Sequence, residues 1–206
     1  MLLQGVIGAP GSTADGQNPI GLMGRSGELI DTKLHGDYYT ANYRGRIFIA
    51  TTVVAGVTLP VQAASLASKF CIVNPVSSSV NLELIDFDWG VQSATEVVNA
   101  IQLYYQTGAA AITGLGSLTA GTILPGTISG GGNPSAIYYT AATHTGTPAP
   151  YKQLGMINAT ANGIPVSHYD FNGKVIVPPG GIIDVAASVG AQANFVCSLT
   201  WAEWPI

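Results

Sequence analysis

Charged residues are scarce in this 206-residue sequence. Asp and Glu total 11 and Lys and Arg total 7, which together make up 9% of the chain, against about 25% in an ordinary soluble domain. The few Lys and Arg residues form no cluster. Nucleic acids and anionic membranes are bound through basic patches, so we expect neither as a partner.

Cysteine is almost absent, with Cys71 and Cys197 as the two cysteines of the sequence. Each lies in an apolar run, and a chain of this length buries a sufficient core without disulfides. We therefore expect two buried free thiols. Trp89 lies between them, but the gap from Trp89 to Cys197 is too long for an immunoglobulin pattern.

Long hydrophobic runs are missing as well. Residues 1–5 show neither the basic nor the apolar region of a secretory signal, so we expect synthesis in the cytoplasm. The best candidate for a membrane span, residues 109–124, is interrupted by glycines and is shorter than the ~20 apolar residues that a span needs. We expect no membrane association.

Glycine and proline, with 26 and 12 residues, are frequent, and their distribution predicts the domain organisation. Residues 1–36 are rich in Gly, Pro, Ser, Asn and Asp, which predicts an extended N-terminal arm. Residues 37–206 are predicted to form a single β-sandwich domain. Within it, residues 97–151 contain no charged residue and predict a loop-rich segment with short strands.

Runs of β-branched and aromatic residues predict the strands of this domain. The first half has such runs at 46–54, 57–61, 69–75 and 80–87, and we expect the last two to form a hairpin. In residues 80–87 the alternation places Leu82, Leu84 and Asp86 on one face and Phe87 on the other.

The C-terminal third predicts a meander of strands at 174–177, 182–187 and 193–204. In the last of these, Phe195, Cys197, Leu199 and Trp201 share one face. Several short strands separated by turn signals predict an all-β fold, an antiparallel β-sandwich that is jelly-roll-like by its length.

Three histidines, His35, His144 and His168, are the first candidates for chemistry. No two of them have the spacing of metal ligands, and neither cysteine lies in a Cys-x-x-Cys pair. His168 and Asp170 are separated by one residue, and this spacing suggests either a proton relay or a turn. We expect the turn, because Asp in such loops commonly bonds its own backbone.

Asp86 and Asp88 place two carboxylates on the same face of a strand. Such a pair suggests a divalent cation site or an acid and base pair. A cation site needs more oxygen ligands than two, so we favour a solvated strand end beside Trp89.

Glycine-rich segments and serines show no catalytic motif. Residues 8–13 lack the lysine of a phosphate-binding loop, and Ser26 lies outside a G-x-S-x-G elbow. We therefore predict that the protein is not an enzyme and has no catalytic, cofactor-binding or metal site.

Tyrosines form the remaining candidate, because their rings stack on the apolar faces of sugars. Adjacent tyrosines on a strand point to opposite faces, so one of each pair is expected in the core or an interface. The candidates are Tyr38, Tyr39, Tyr43, Tyr104, Tyr105, Tyr138, Tyr139 and Tyr151.

Several short motifs together resemble virion structural proteins of tailed bacteriophages. They are LHGDYY at 34–39, YRGRIF at 43–48, NP at 74–75, VPPGG at 177–181 and SLTWAEW at 198–204. The resemblance implies a jelly-roll-like protein of the decoration or cement kind, which would be located on the capsid surface of the virion.

Low charge and the resemblance lead to one function hypothesis and two alternatives. The hypothesis is a non-enzymatic structural protein that binds the major capsid protein and its own copies, a trimer being one symmetric arrangement. We expect residues 97–151 to make these contacts. The alternatives are a carbohydrate- or receptor-binding β-sandwich of a phage fibre or spike, and a hydrolase with a site assembled from distant residues.

Overall fold

The computed structural model describes residues 38–62, 67–92, 98–107, 115–127, 132–144, 146–157 and 166–206. Contacts within the chain divide it into two units, Met1–Tyr39 and Thr40–Ile206. The predicted arm at 1–36, with His35 and Ser26, lies outside the described residues. No helix in the described part has the length and hydropathy needed to cross a membrane.

One short helix and thirteen strands make up the secondary structure of the described residues. They are α1 Tyr39–Tyr43, β1 Ile47–Thr51, β2 Val57–Leu59, β3 Ala67–Ser68, β4 Cys71–Val73, β5 Val80–Val91, β6 Asn99–Gln106, β7 Leu115–Ala120, β8 Ile123–Pro125, β9 Ile137–His144, β10 Ala149–Ile157, β11 Val166–Val177, β12 Ile182–Ala187 and β13 Gln192–Pro205.

The strands form two antiparallel sheets that pack face to face. The first sheet has the order β11-β5-β13-β1-β8, with β2 also paired to β13. The second has the order β10-β6-β12-β4-β9-β3, with β7 also paired to β9. The prediction of an all-β antiparallel sandwich is confirmed.

Eight of these strands follow the order of a jelly roll, namely β1, β4, β5, β6, β10, β11, β12 and β13. In the first sheet they lie in the order β1-β13-β5-β11, and in the second in the order β4-β12-β6-β10. If these eight strands are numbered 1 to 8 along the chain, the two orders are 1-8-3-6 and 2-7-4-5. Two packed sheets of this kind are the jelly-roll arrangement. The uncharged segment inserts β8 beside β1 and β9 beside β4, so it widens both sheets.

Aromatic side chains fill the space between the two sheets. Trp89 stacks on Phe195 with ring centroids 5.8 Å apart, and Phe70 meets Phe87 edge to face at 6.3 Å. Burying each such ring stabilises the fold by about 1.5–3 kcal/mol. The buried face predicted for β13 is confirmed, because the four residues assigned to it all belong to this core. They are Phe195, Cys197, Leu199 and Trp201.

Consecutive strands mostly alternate between the sheets, so two predicted pairings are wrong. β4 and β5 lie in different sheets and form no hairpin. β11 and β13 both flank β5, whereas β12 lies in the other sheet, so these three strands form no meander. Alternation along a strand reveals which face is buried, but it does not reveal the neighbouring strand.

A β-bulge at Ile85 changes which residues of β5 face the core. Leu84 pairs with Trp201 and Asp86 with Thr200, which leaves Ile85 as the extra residue. Leu84 points into the core before the bulge and Phe87 after it. The prediction that these two side chains lie on opposite faces is therefore wrong, because the bulge shifts the alternation by one residue.

The buried carboxylate of Glu203 attaches the segment before β9 to β13. Its oxygens accept the backbone N–H of Ser135 at 2.8 Å and that of Ala136 at 3.1 Å. The indole nitrogen of Trp201 also donates to it at 3.3 Å. Hydrogen bonds to an ionised acceptor are stronger than hydrogen bonds between neutral groups. Glu203 therefore holds the residues just before β9 against β13.

Replacing Glu203 by alanine removes the acceptor of three N–H donors, two of which belong to the buried residues Ala136 and Trp201. We expect Glu203→Ala to lower the free energy of unfolding by about 3 kcal/mol, measured by urea denaturation. Glu203→Gln keeps one acceptor oxygen and is the matched control, with a smaller loss. Equal stability of the wild type and Glu203→Ala would contradict this role.

Candidate functional site

Three chemically reactive side chains meet on the outer face of the second sheet. Cys71 and Asp184 are directly opposite each other on β4 and β12. The neighbouring residues Ile72 and Ile183 point into the core between the sheets. Because successive side chains alternate faces, Cys71 and Asp184 point away from that core, yet their exposures are 0% and 1%.

His144 reaches the same place from the end of β9. In the second sheet, β9 is separated from β6 by β4 and β12. In a regular sheet the backbones of β9 and β6 are three strand spacings of ~4.8 Å apart, which makes about 14 Å. A histidine and a glutamine side chain together do not bridge this distance. His144 nevertheless contacts both Asp184 on β12 and Gln106 on β6. The end of β9 therefore lies across the outer face of the sheet.

Both ring nitrogens of His144 lie close to oxygen atoms. Nδ1 is 2.7 Å from Oε1 of Gln106, and Nε2 is 2.6 Å from Oδ2 of Asp184. Within the described residues, neither Nε2 nor either carboxylate oxygen of Asp184 makes a hydrogen bond of good geometry. The thiol sulfur of Cys71, Nε2 and a carboxylate oxygen all lie within 4.8 Å of one another.

Cys71 and Cys197 are both free and buried, as predicted. Burial raises the pKa of the Cys71 thiol, and both the negative charge of Asp184 and a hydrogen-bond contact with its carboxylate raise it further. Burial alone raises the pKa of the Cys197 thiol, which lies in the other sheet. Without a bound cation both thiols are protonated at neutral pH.

Spacing along the sequence gives no sign of this cluster. Residues 71, 144 and 184 lie on three separate strands, and metal-site motifs are recognised by ligands only a few residues apart. Only the jelly-roll order together with the displaced end of β9 brings them together. A signal was available in Asp184, which is a carboxylate inside an otherwise apolar strand of six buried residues.

The predicted carboxylate and histidine candidates lie together on the outer face of the first sheet. His168 pairs with Asp88, and Asp170 pairs with Asp86, across β11 and β5. Nδ1 of His168 is 2.7 Å from Oδ1 of Asp88, and both side chains are exposed. Asp170 accepts the backbone N–H of Asn172 at 2.8 Å. His168 and Asp170 therefore lie within β11 and not in the predicted turn, although Asp170 does bond the backbone two residues on, as was expected of it.

A groove of about 450 Å³ borders this pair. Its polar lining includes Thr51, Ser167 and Ser198 beside His168. The hydrogen bond with Asp88 raises the pKa of His168, and burial raises the pKa of Asp86. Among the described residues, the hydrogen-bond partner of the His168 ring is the carboxylate of Asp88.

In two of the three tyrosine pairs, Tyr104–Tyr105 and Tyr138–Tyr139, one ring is buried and the other is more exposed, as predicted, whereas neither ring of Tyr38–Tyr39 is buried. Tyr104 is buried and donates to Oε1 of Gln102 at 2.6 Å, whereas the next residue, Tyr105, is exposed. Tyr138 is buried and donates to the backbone oxygen of Thr51. The exposed ring of Tyr105 meets that of Tyr151 edge to face at 5.6 Å.

A second groove, of about 410 Å³, is lined without any charged side chain. Val76, Leu118 and Ile137 are exposed at its rim, at 61%, 47% and 38%. We call it the apolar groove, and its lining residues are Val73, Pro75, Val76, Ser77, Leu118, Ile137 and Tyr139.

Comparison with known proteins identifies no relative: no family model, no curated protein and no solved structure matches this chain.

We expect Asp88→Asn to lower the pKa of His168 towards its ordinary value of 6.5, because the substitution removes the carboxylate that favours the imidazolium. Titration of the imidazole by NMR measures this. The folded pKa lies above the unfolded one, so the stabilising contribution of the pair is complete below pH ~6.5 and is lost as the pH rises through the folded value. An unchanged pKa in Asp88→Asn would show that the pair does not form.

Proposed function

We propose that this protein is a non-enzymatic structural subunit of a tailed-phage virion. It assembles with its own copies and with the major capsid protein on the capsid surface, after synthesis in the host cytoplasm. In this decoration or cement role it stabilises contacts between capsid subunits. The observation that carries the proposal is the apolar groove, and the motif resemblance supplies the kind of particle.

The apolar groove has the properties of a contact surface. Three large aliphatic side chains lie exposed around it, and none of its lining residues is charged. Contiguous exposed apolar surface marks interaction sites. Leu118, Ile137 and Tyr139 belong to the uncharged segment at 97–151, whose lack of charge predicts that it makes the intersubunit contacts.

Two edge strands with exposed apolar side chains lie at the opposite edge of the sandwich. There β10 and β11 are the last strands of the two sheets in the described residues. Met156, Val166 and Ile176 on these strands are exposed. Long edge strands with exposed apolar side chains readily join other chains. Two different contact surfaces on one subunit support a head-to-tail ring, of which a trimer is the simplest case.

A carbohydrate- or receptor-binding role is the second candidate function. The exposed edge-to-face pair of Tyr105 and Tyr151 supports it, because such rings offer both apolar faces and hydroxyl groups to a sugar. Binding to a glycan array that is lost in Tyr151→Ala would favour this role over assembly.

A lysine in the apolar groove tests the assembly proposal. We expect the wild type to be oligomeric at micromolar concentration in size-exclusion chromatography with multi-angle light scattering. Leu118→Lys places a charge in the contact and is expected to weaken association at least ~10-fold. Val54→Lys is the matched control, because Val54 is 89% exposed and does not line the groove. A monomeric wild type would refute obligate assembly.

The position on the particle is tested by a cryo-EM map of the native virion. The proposal expects density for this chain over the junctions between capsomers. Density at the tail tip would overturn the capsid role and would favour receptor binding.

A further inference from the structure

We propose that Cys71, His144 and Asp184 bind one Zn²⁺ ion, which fastens the end of β9 across the outer face of the second sheet. We assign the site a structural role, since all three side chains are at most 1% exposed. It is independent of the proposed function.

The donor set has the chemistry that Zn²⁺ prefers. Thiolate sulfur, imidazole nitrogen and carboxylate oxygen are its usual protein ligands, and a soft thiolate disfavours Mg²⁺ and Ca²⁺, which require oxygen. Three protein ligands leave one position of a tetrahedral ion for a water molecule. Binding converts the Cys71 thiol to a thiolate, and the proton passes to the solvent.

Gln106 orients the ring of His144 in the way that a hydrogen-bond partner orients a metal-binding histidine. Its Oε1 atom accepts a hydrogen bond from Nδ1 of His144 at 2.7 Å. Ligating histidines commonly donate their second N–H to an oxygen in this way. A neutral imidazole with its proton on Nδ1 presents the lone pair of Nε2 to Asp184 and Cys71.

This arrangement requires a positive charge at the centre of the cluster. The lone pair of Nε2 and the carboxylate of Asp184 repel each other at 2.6 Å unless a cation compensates both. A proton on Nε2 is one such charge and makes the contact an ion pair, although Nε2 and the carboxylate oxygens form no hydrogen bond in the described residues. A metal ion between the three donor atoms satisfies all of them.

The burial of these three side chains makes the missing hydrogen bonds of their nitrogen and oxygen atoms informative. Buried polar atoms without a partner are rare in native proteins, because each costs about 1–3 kcal/mol. Four buried side-chain atoms of the described residues lack a well-aligned partner, and three of them, Nε2 of His144 and both oxygens of Asp184, belong to this cluster, the fourth being Oδ1 of Asn74. The convergence of these three atoms with the sulfur of Cys71 distinguishes the site from an isolated cysteine or carboxylate.

The distances allow an ion after small adjustments. Metal–ligand bonds of about 2.0–2.3 Å place tetrahedral ligand atoms roughly 3.3–3.7 Å apart. The donor atoms lie within 4.8 Å of one another, with the closest approach between Nε2 and Oδ2. A rotation of the Asp184 carboxylate opens this approach, and a small inward movement of the sulfur closes the longest one.

Metal analysis of the purified full chain is the first test. The chain is expressed in zinc-supplemented medium without a polyhistidine tag, and its metal content is measured by inductively coupled plasma mass spectrometry. We expect about one zinc ion per chain. We also expect the chain refolded with Zn²⁺ to have a Tm roughly 10 °C higher than the chain refolded with a chelator.

Cobalt substitution tests the ligands directly and does not depend on stability. Refolding with Co²⁺ is expected to give a thiolate-to-cobalt charge-transfer band with one thiolate ligand. Cys71→Ser is expected to remove the band, and Asp184→Asn to weaken cobalt binding at least ~10-fold. Cys197→Ser is the matched control, because Cys197 is a buried free cysteine in the other sheet and is expected to keep the band.

Two results would overturn the site. One is a folded wild-type chain that contains no metal and whose Tm is the same with Zn²⁺ and with a chelator. The other is a cobalt band that persists in Cys71→Ser or disappears in Cys197→Ser. In either case the short contact of His144 with Asp184 is a buried pair joined by a proton. The assembly proposal is unaffected by both results, because the apolar groove contains none of the three ligands.

Discussion

The short contact between His144 and Asp184 is the constraint on which the outer layer of the second sheet depends. It joins strands that are not neighbours in the sheet and holds the end of β9 over β12. Ala142 of β9 packs there on Cys71, Val73 and Ile182, so this face is buried and apolar around a polar centre. A buried polar centre of this kind is stable only when its charges are compensated. The position of the end of β9 therefore depends on what compensates the charge of Asp184.

The jelly roll explains why this insertion influences both sheets. Residues between β6 and β10 add β8 to the first sheet and β9 to the second. Glu203 holds one end of β9 through backbone N–H groups, and His144 holds the other. Between these two anchors lie Ile137 and Tyr139, which line the apolar groove. β9 is thus fixed by polar contacts at its two ends and offers apolar surface between them.

Strand faces could be predicted from the sequence, but strand partners could not. Period-two alternation correctly placed Phe195 and Trp201 in the core, because the extra residue of the bulge lies on β5 and β13 keeps its own alternation from Phe195 to Trp201. The same reasoning failed for Phe87, because the bulge at Ile85 is set by pairing with β13 and leaves no local signal. The Cys71, His144 and Asp184 cluster was inaccessible for a related reason, since long-range strand order determines which distant residues meet.

An anomalous difference map from crystals of the untagged chain, recorded on both sides of the zinc absorption edge, tests the central claim most directly. The account predicts one peak between the sulfur of Cys71, Nε2 of His144 and the carboxylate of Asp184, with Gln106 still bonded to Nδ1. A map without a peak at this position, and with Nε2 in a direct, well-aligned hydrogen bond to Asp184, would contradict it.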